Sequence, residues 1–222
     1  MLAKETVEFL KKLDKNNNRD WFNVNKSGFI AANDNVIAIT GDLINRIAKF
    51  DPSVAGLDPK ACVFRIYRDV RFSKDKSPYK TNLGAFIAPG GRKAMSPGYY
   101  FHIQPRAFFA AAGKHMPDAG ELLKIRNAIA SNTKEFLKIV EGRAFKDRFG
   151  DLDGDRLSRP PKGFPADHPA IEFLKLKSFT VSERFTAKDA VAKDYPKMLS
   201  ESFKAAYPMV IFLRRALSLS IT

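Results

Sequence analysis

The chain has 222 residues, with 38 Lys and Arg against 24 Asp and Glu, a formal net charge of +14 that points toward anionic partners. Its 45% hydrophobic content, including 19 Phe, supports a packed core and excludes a mainly disordered chain. The one cysteine, Cys62, excludes an internal disulfide and any cysteine-built metal site.

The first third reads as helical. Val7, Leu10 and Leu13 recur at helix spacing until the Asn16-Asn17-Asn18 run interrupts them. Asn18 is placed to cap a short helix through Trp21 and Phe22. Val36, Ile37, Leu43, Ile44 and Ile47 then predict a long helix over residues 29–50, ended by Asp51-Pro52. Gly41 lies inside that span at a cost of about 1 kcal/mol relative to Ala.

The period changes in the middle. Residues 62–72 alternate as a strand would, with Phe64, Ile66, Val70 and Phe72 on one side and Arg65, Tyr67, Asp69 and Arg71 on the other. Further strands are expected at 81–88, 98–104 and 107–113, joined by the turn-forming Pro89-Gly90-Gly91 and Pro105-Arg106. Connections this short favour an antiparallel meander. Asp118 is placed to cap a helix carrying Leu122, Leu123, Ile125 and Ile129, and a second helix is expected over 134–140 with Gly142 as its stop. Residues 145–159 read as irregular or as short strands and 160–165 as a Pro-rich loop; His168-Pro169 opens a short helix and 178–185 a strand. Asp194 and Pro196 begin a C-terminal helix that Pro208 should kink or divide. The expectation is one α+β domain over 1–222, helical over 1–58, strand-rich over 60–115 and mixed over 116–222, with helices packed on an antiparallel β-meander.

The densest polar stretch is residues 60–80, with seven basic residues and two acids. Arg65, Asp69 and Arg71 fall on one strand face, where Asp69 can orient one guanidinium and leave another for an anion. Arg68 falls on the apolar face, where an unpaired guanidinium is costly, so it must reach a carboxylate, a sheet edge or a pocket mouth. The following Ser73, Lys74, Asp75, Lys76, Ser77 and Tyr79 suit phosphate or carboxylate oxygens, but their spacing is not that of a Walker loop. Two readings stand side by side: an anion site, or an Arg–Asp network that pins the fold.

The spacing Arg65-x-x-Arg68-Asp69-x-Arg71-Phe72, then Lys76-x-x-Tyr79, resembles the signature of a largely bacterial family, the domain of unknown function numbered 2461. Asn18-Arg19-Asp20-Trp21-Phe22, Gly98-Tyr99-Tyr100-Phe101-His102 and Pro161-Lys162-Gly163-Phe164 are similar to it as well. The resemblance spans nearly the whole chain and implies a single-domain organisation. It brings no activity, cofactor or catalytic assignment.

The other candidates are weaker. His102, His115 and His168 are far apart and in no zinc-binding spacing, so no metal is expected. His102 reads as a hydrogen-bonded sheet residue and His168 as a helix cap. Asp151, Asp153 and Asp155 form an acidic turn without the closing Glu of a calcium loop. The favoured function is therefore binding of a phosphorylated or carboxylated small molecule by Arg65, Arg68, Arg71, Lys76 and Tyr79. Asp69 and Tyr79 are the candidates for proton transfer, and no cofactor is expected. Nucleic-acid binding through the basic, aromatic sheet face is the alternative, and docking of an acidic protein partner a third. No apolar run approaches the roughly 20 residues of a membrane span, and no secretory signal is evident, so a cytoplasmic protein without membrane contact is expected.

Overall fold

The computed structural model describes residues 1–218. Its elements in chain order begin with α1 (Lys4–Lys15), α2 (Arg19–Val24), α3 (Lys26–Ile47) and α4 (Pro59–Cys62). Three strands follow: β1 (Leu83–Ile87), β2 (Gly98–Gln104) and β3 (Ala107–Lys114). Then come α5 (Ala119–Ser131), α6 (Thr133–Val140), α7 (Arg143–Phe149), α8 (Ile171–Leu174), β4 (Phe179–Phe185), α9 (Ala187–Ala190) and α10 (Tyr195–Ser218). The strands form one antiparallel sheet in the order β1-β2-β3-β4, so the fold is α+β.

Local chemistry sets most of the boundaries. Asn18 accepts from the Trp21 amide at 2.9 Å and starts α2. Asp118 and Glu121 form a reciprocal capping box at the head of α5. His168, expected as a helix cap, does not cap α8, whose N-cap is Ala170 without a side-chain cap; its Nδ1 instead accepts from the Ala170 amide at 3.0 Å in the preceding turn. Three further expectations are corrected. Of residues 145–159, expected irregular or in short strands, the first five belong to the helix α7, with Phe145 buried and stacked edge-on against Phe149, while Asp153 and Arg156 make isolated bridges to Thr180 and Leu176. The helix assigned to 29–50 starts at Lys26 and ends at Ile47. Of the kink or division expected at Pro208, division does not occur: α10 runs through the residue.

The larger correction concerns residues 62–72, which form no continuous strand. Cys62 ends α4, and the following chain makes only two isolated antiparallel bridges, Val63 with Ala85 and Tyr67 with Tyr79. The Arg68 amide donates to the Pro78 carbonyl and the Lys80 amide to the Ile66 carbonyl, so the segment folds back on itself. Beyond Arg68, side chains capture the backbone: Asp69 accepts from the Arg71 amide and Asp75 from the Ser77 amide. Such local bonds compete with a sheet ladder and end it. Phe72, expected to face the helix layer, is 96% exposed.

The chain packs into two compact units. One comprises Met1–Ala94, Tyr100–Ala110 and Arg184–Glu201; the other comprises Met95–Tyr99, Ala111–Glu183 and, among the described residues, 202–218. In the first, α3 packs against α1 and β1, and Leu10, Leu13, Val36, Leu43, Ile47, Leu83, Ile87 and Phe101 are fully buried. In the second, α5 packs against α6 and α8. Its core includes Phe136, whose ring lies 5.3 Å from Phe173 and 5.2 Å from Phe212. Lys114, buried at the end of β3, donates to the Glu121 carboxylate at 2.5 Å, which satisfies a charge that would otherwise be costly.

Candidate functional site

The basic segment lies in the first unit, and its charges divide into tied and untied groups. Arg68 pairs with the Asp75 carboxylate and also donates to the Ser77 carbonyl at 3.2 Å. Arg71 makes a bidentate pair with Asp69 at 3.0 and 2.7 Å. Lys76 donates to the Val70 carbonyl at 3.1 Å. These contacts close a loop over residues 68–77 on itself. Bonds from Ser77 and then the Arg68 pair hold the Asp75 carboxyl well below its usual range, and the Arg71 pair lowers Asp69. Arg68 thus reaches a carboxylate, one of the three outcomes its position demanded. Arg71 and Asp69 are exposed, where solvent screens such a pair and it adds little to stability.

Tyr79 is 5% exposed and stacks on Phe22, with ring centroids 3.9 Å apart and planes 14° from parallel. Its backbone is held on both sides by the Asn17 amide, which accepts from its N–H at 3.1 Å and donates to its carbonyl at 2.9 Å. Burial, then the Tyr67 phenol, raise the Tyr79 hydroxyl above its ordinary pKa, opposed by Arg19. Asn17 is a tether that the sequence reading passed over as part of a polar helix stop; the only trace was the unusual run of three Asn.

Lys60, Arg65, Lys74 and Lys80 make no ion pair with an acid among the described residues; of these, Arg65 and Lys80 are close enough for the Arg65 charge to act on Lys80, and Arg65 also helps to lower Asp69. The Lys80 ammonium lies 5.6 Å from the centre of the Phe64 ring. Burial and then the neighbouring Arg65 charge lower its pKa, so two like charges share this place. The Phe64 ring in turn meets Tyr100 edge-on at 6.0 Å.

Tyr100 opens a polar row made by strand alternation. In β2, Tyr99, Phe101 and Ile103 are completely buried, while Tyr100, His102 and Gln104 stand half-buried on the other face. The Tyr100 hydroxyl lies 2.8 Å from His102 Nδ1, and His102 Nε2 lies 3.1 Å from Gln104 Oε1. Gln104 Nε2 reaches the Thr81 hydroxyl at 3.5 Å. Phe109 stacks on the imidazole, centroids 4.6 Å apart. His102 is thus the hydrogen-bonded sheet residue expected, but its membership of a row with Tyr100 and Gln104 was missed. The signal was available as polar side chains at every second position of β2.

Burial pushes Tyr100 up to about 12 and holds His102 below its ordinary 6.5, with the Gln104 bond opposing. Because the folded state disfavours the charged imidazole, this group's contribution to stability is fully present above the unfolded pKa. It is lost as the pH falls from there through the lowered folded value. Urea midpoints measured at pH 7.5 and 5 should therefore fall more for the wild type than for His102→Gln. Parallel losses would show that His102 is not the group responsible.

His115 and His168 lie in the other unit, and no group of three or more His, Cys, Asp or Glu comes together among the described residues. A cavity of about 650 Å³ in that unit, bordered by Lys138, Ile139, Phe145, Pro208, Ile211 and Arg215, contains none of the basic-segment residues. Among the described residues no helix is long and apolar enough to cross a membrane.

Neither a curated protein nor a solved structure matches the chain. The family model described as "Conserved hypothetical protein (DUF2461)" does match, over residues 5–212, and so takes in the basic loop, the Asn17–Tyr79 tether and the polar row of β2 alike: the chain belongs to that family.

Proposed function

We propose that the protein binds a phosphorylated or carboxylated small molecule on the half-buried face of β2, with Arg65 and Lys80 as its anion contacts. The observation that carries this reading is the closeness of two cations, neither of which forms an ion pair with an acid among the described residues, beside a row of uncharged hydrogen-bonding groups. Like charges held together are unfavourable unless an anion compensates them. Of the residues first considered for the anion, Arg65 keeps that role. Arg68, Arg71 and Lys76 instead shape the loop that flanks the site. A nucleic-acid track would string free cations along the chain, whereas here Asp69 and Asp75 occupy Arg71 and Arg68.

A ligand that binds only the folded state raises its stability by mass action. Inorganic phosphate should therefore raise the melting temperature of the wild type beyond matched chloride. Arg65→Ala and Lys80→Ala should each abolish most of that gain while remaining folded, and Arg71→Ala should retain it. A wild type without any phosphate-specific shift, or one whose shift survives loss of both Arg65 and Lys80, would remove the proposal.

A further inference from the structure

We infer that the ligand is an anion carrying a planar ring with a hydrogen-bond donor, and that this donor meets the Tyr100 hydroxyl oxygen. The inference rests on the anion reading above and adds the chemistry of the ligand's other end. It follows from the direction of the hydrogen bonds in the polar row. Gln104 donates through Nε2 to Thr81, so the oxygen facing His102 can only accept. His102 Nε2 must then carry the ring proton, which leaves Nδ1 as an acceptor. The Tyr100 hydroxyl lies 2.8 Å from that nitrogen and commits its proton to it. Each group uses its donor in one direction, and what Tyr100 has left is a lone pair. A ligand group that docks there must bring its own hydrogen.

What surrounds the two ends shapes the middle of the ligand. The Phe64 ring neighbours both ends: it lies 5.6 Å from the Lys80 ammonium and 6.0 Å, centre to centre, from the Tyr100 ring. Phe109 is a second aromatic neighbour of Tyr100, at 5.8 Å. Cation and acceptor thus share an aromatic neighbourhood, which favours a flat, apolar body over a flexible polar chain. An anion, a planar ring and a ring-borne N–H together describe an aminated heteroaryl phosphate or carboxylate, with purine nucleotides as accessible examples.

Adenosine 5′-monophosphate and purine riboside 5′-monophosphate differ only in the exocyclic amine and so isolate the donor. Calorimetric titration of the wild type should show the amine-bearing compound binding about three- to tenfold more tightly, the usual worth of one hydrogen bond. Tyr100→Phe, which keeps the ring, should erase that preference, so that the two nucleotides bind the variant alike. Equal binding of the two nucleotides to the wild type, with the phosphate response intact, would overturn this inference and leave the anion site standing. Loss of the phosphate response itself would take down both. A preference that persists in Tyr100→Phe would also overturn it. The wild type alone offers a further check: nitrogen-15 spectra of His102 should report the Nε2–H tautomer. The Nδ1–H tautomer would free the Tyr100 proton and contradict the assignment.

Discussion

Tyr79→Ala is expected to lower the unfolding free energy by about 3–5 kcal/mol, the range found when a buried aromatic ring is deleted. The ring is nearly inaccessible, stacks on Phe22 and lies 5.5 Å from the Tyr67 ring, so its removal empties a space walled by aromatics. Tyr79→Phe keeps that packing and should cost less than about 1 kcal/mol. Urea unfolding of the two variants checks both values. Together they separate a packing role from the proton-transfer role that the residue's place in the basic motif first suggested. A Phe variant that folds normally yet loses the phosphate response would restore a chemical role to the hydroxyl.

Gly84→Ala should cost about 3 kcal/mol, the upper end of the usual overpacking penalty. A Cβ at this position would collide with the Phe101 carbonyl oxygen and would sit 3.1 Å from the Tyr100 hydroxyl. The carbonyl belongs to the sheet backbone and cannot turn aside as a side chain can. The glycine is needed here for space, because β1 and the Tyr100 side chain approach each other closely. The same substitution should displace the Tyr100 hydroxyl from His102, so the loss of stability should be accompanied by a change in the His102 ring-nitrogen signals. An alanine variant as stable as the wild type, with unchanged His102 signals, would contradict this description of the polar row.

The sequence was legible where one local pattern dominated. Strict alternation in β2, the Asp118 cap with Glu121 three residues on, and the Asn18 cap each specify their structure without help from distant residues. The family resemblance was legible too, since its Arg, Asp, Lys and Tyr spacing is unusual. Residues 62–72 misled because alternation was present but side chains defeated it: Asp69 and Asp75 bind backbone amides that a strand would need, and Phe72 turns outward. The missed helix over 143–149 has only two turns, too short for periodicity to stand out from Gly142 and Gly150 at its ends. The distinction between tied and untied cations could not be read at all. Which of seven basic residues meets an acid depends on how the loop closes, and that is set by the Tyr67–Tyr79 bridge and the Asn17 tether across 62 positions of sequence.

The central claim is that Arg65 and Lys80 meet the anion while Arg68 and Arg71 hold the loop. Side-chain nitrogen-15 spectra during a phosphate titration test it at the atoms concerned. The account predicts that the Arg65 Nε and Lys80 Nζ signals move together and saturate, while the Arg68 and Arg71 Nε signals stay in place. Saturable movement at Arg68 and Arg71, with Arg65 and Lys80 unmoved, would contradict it.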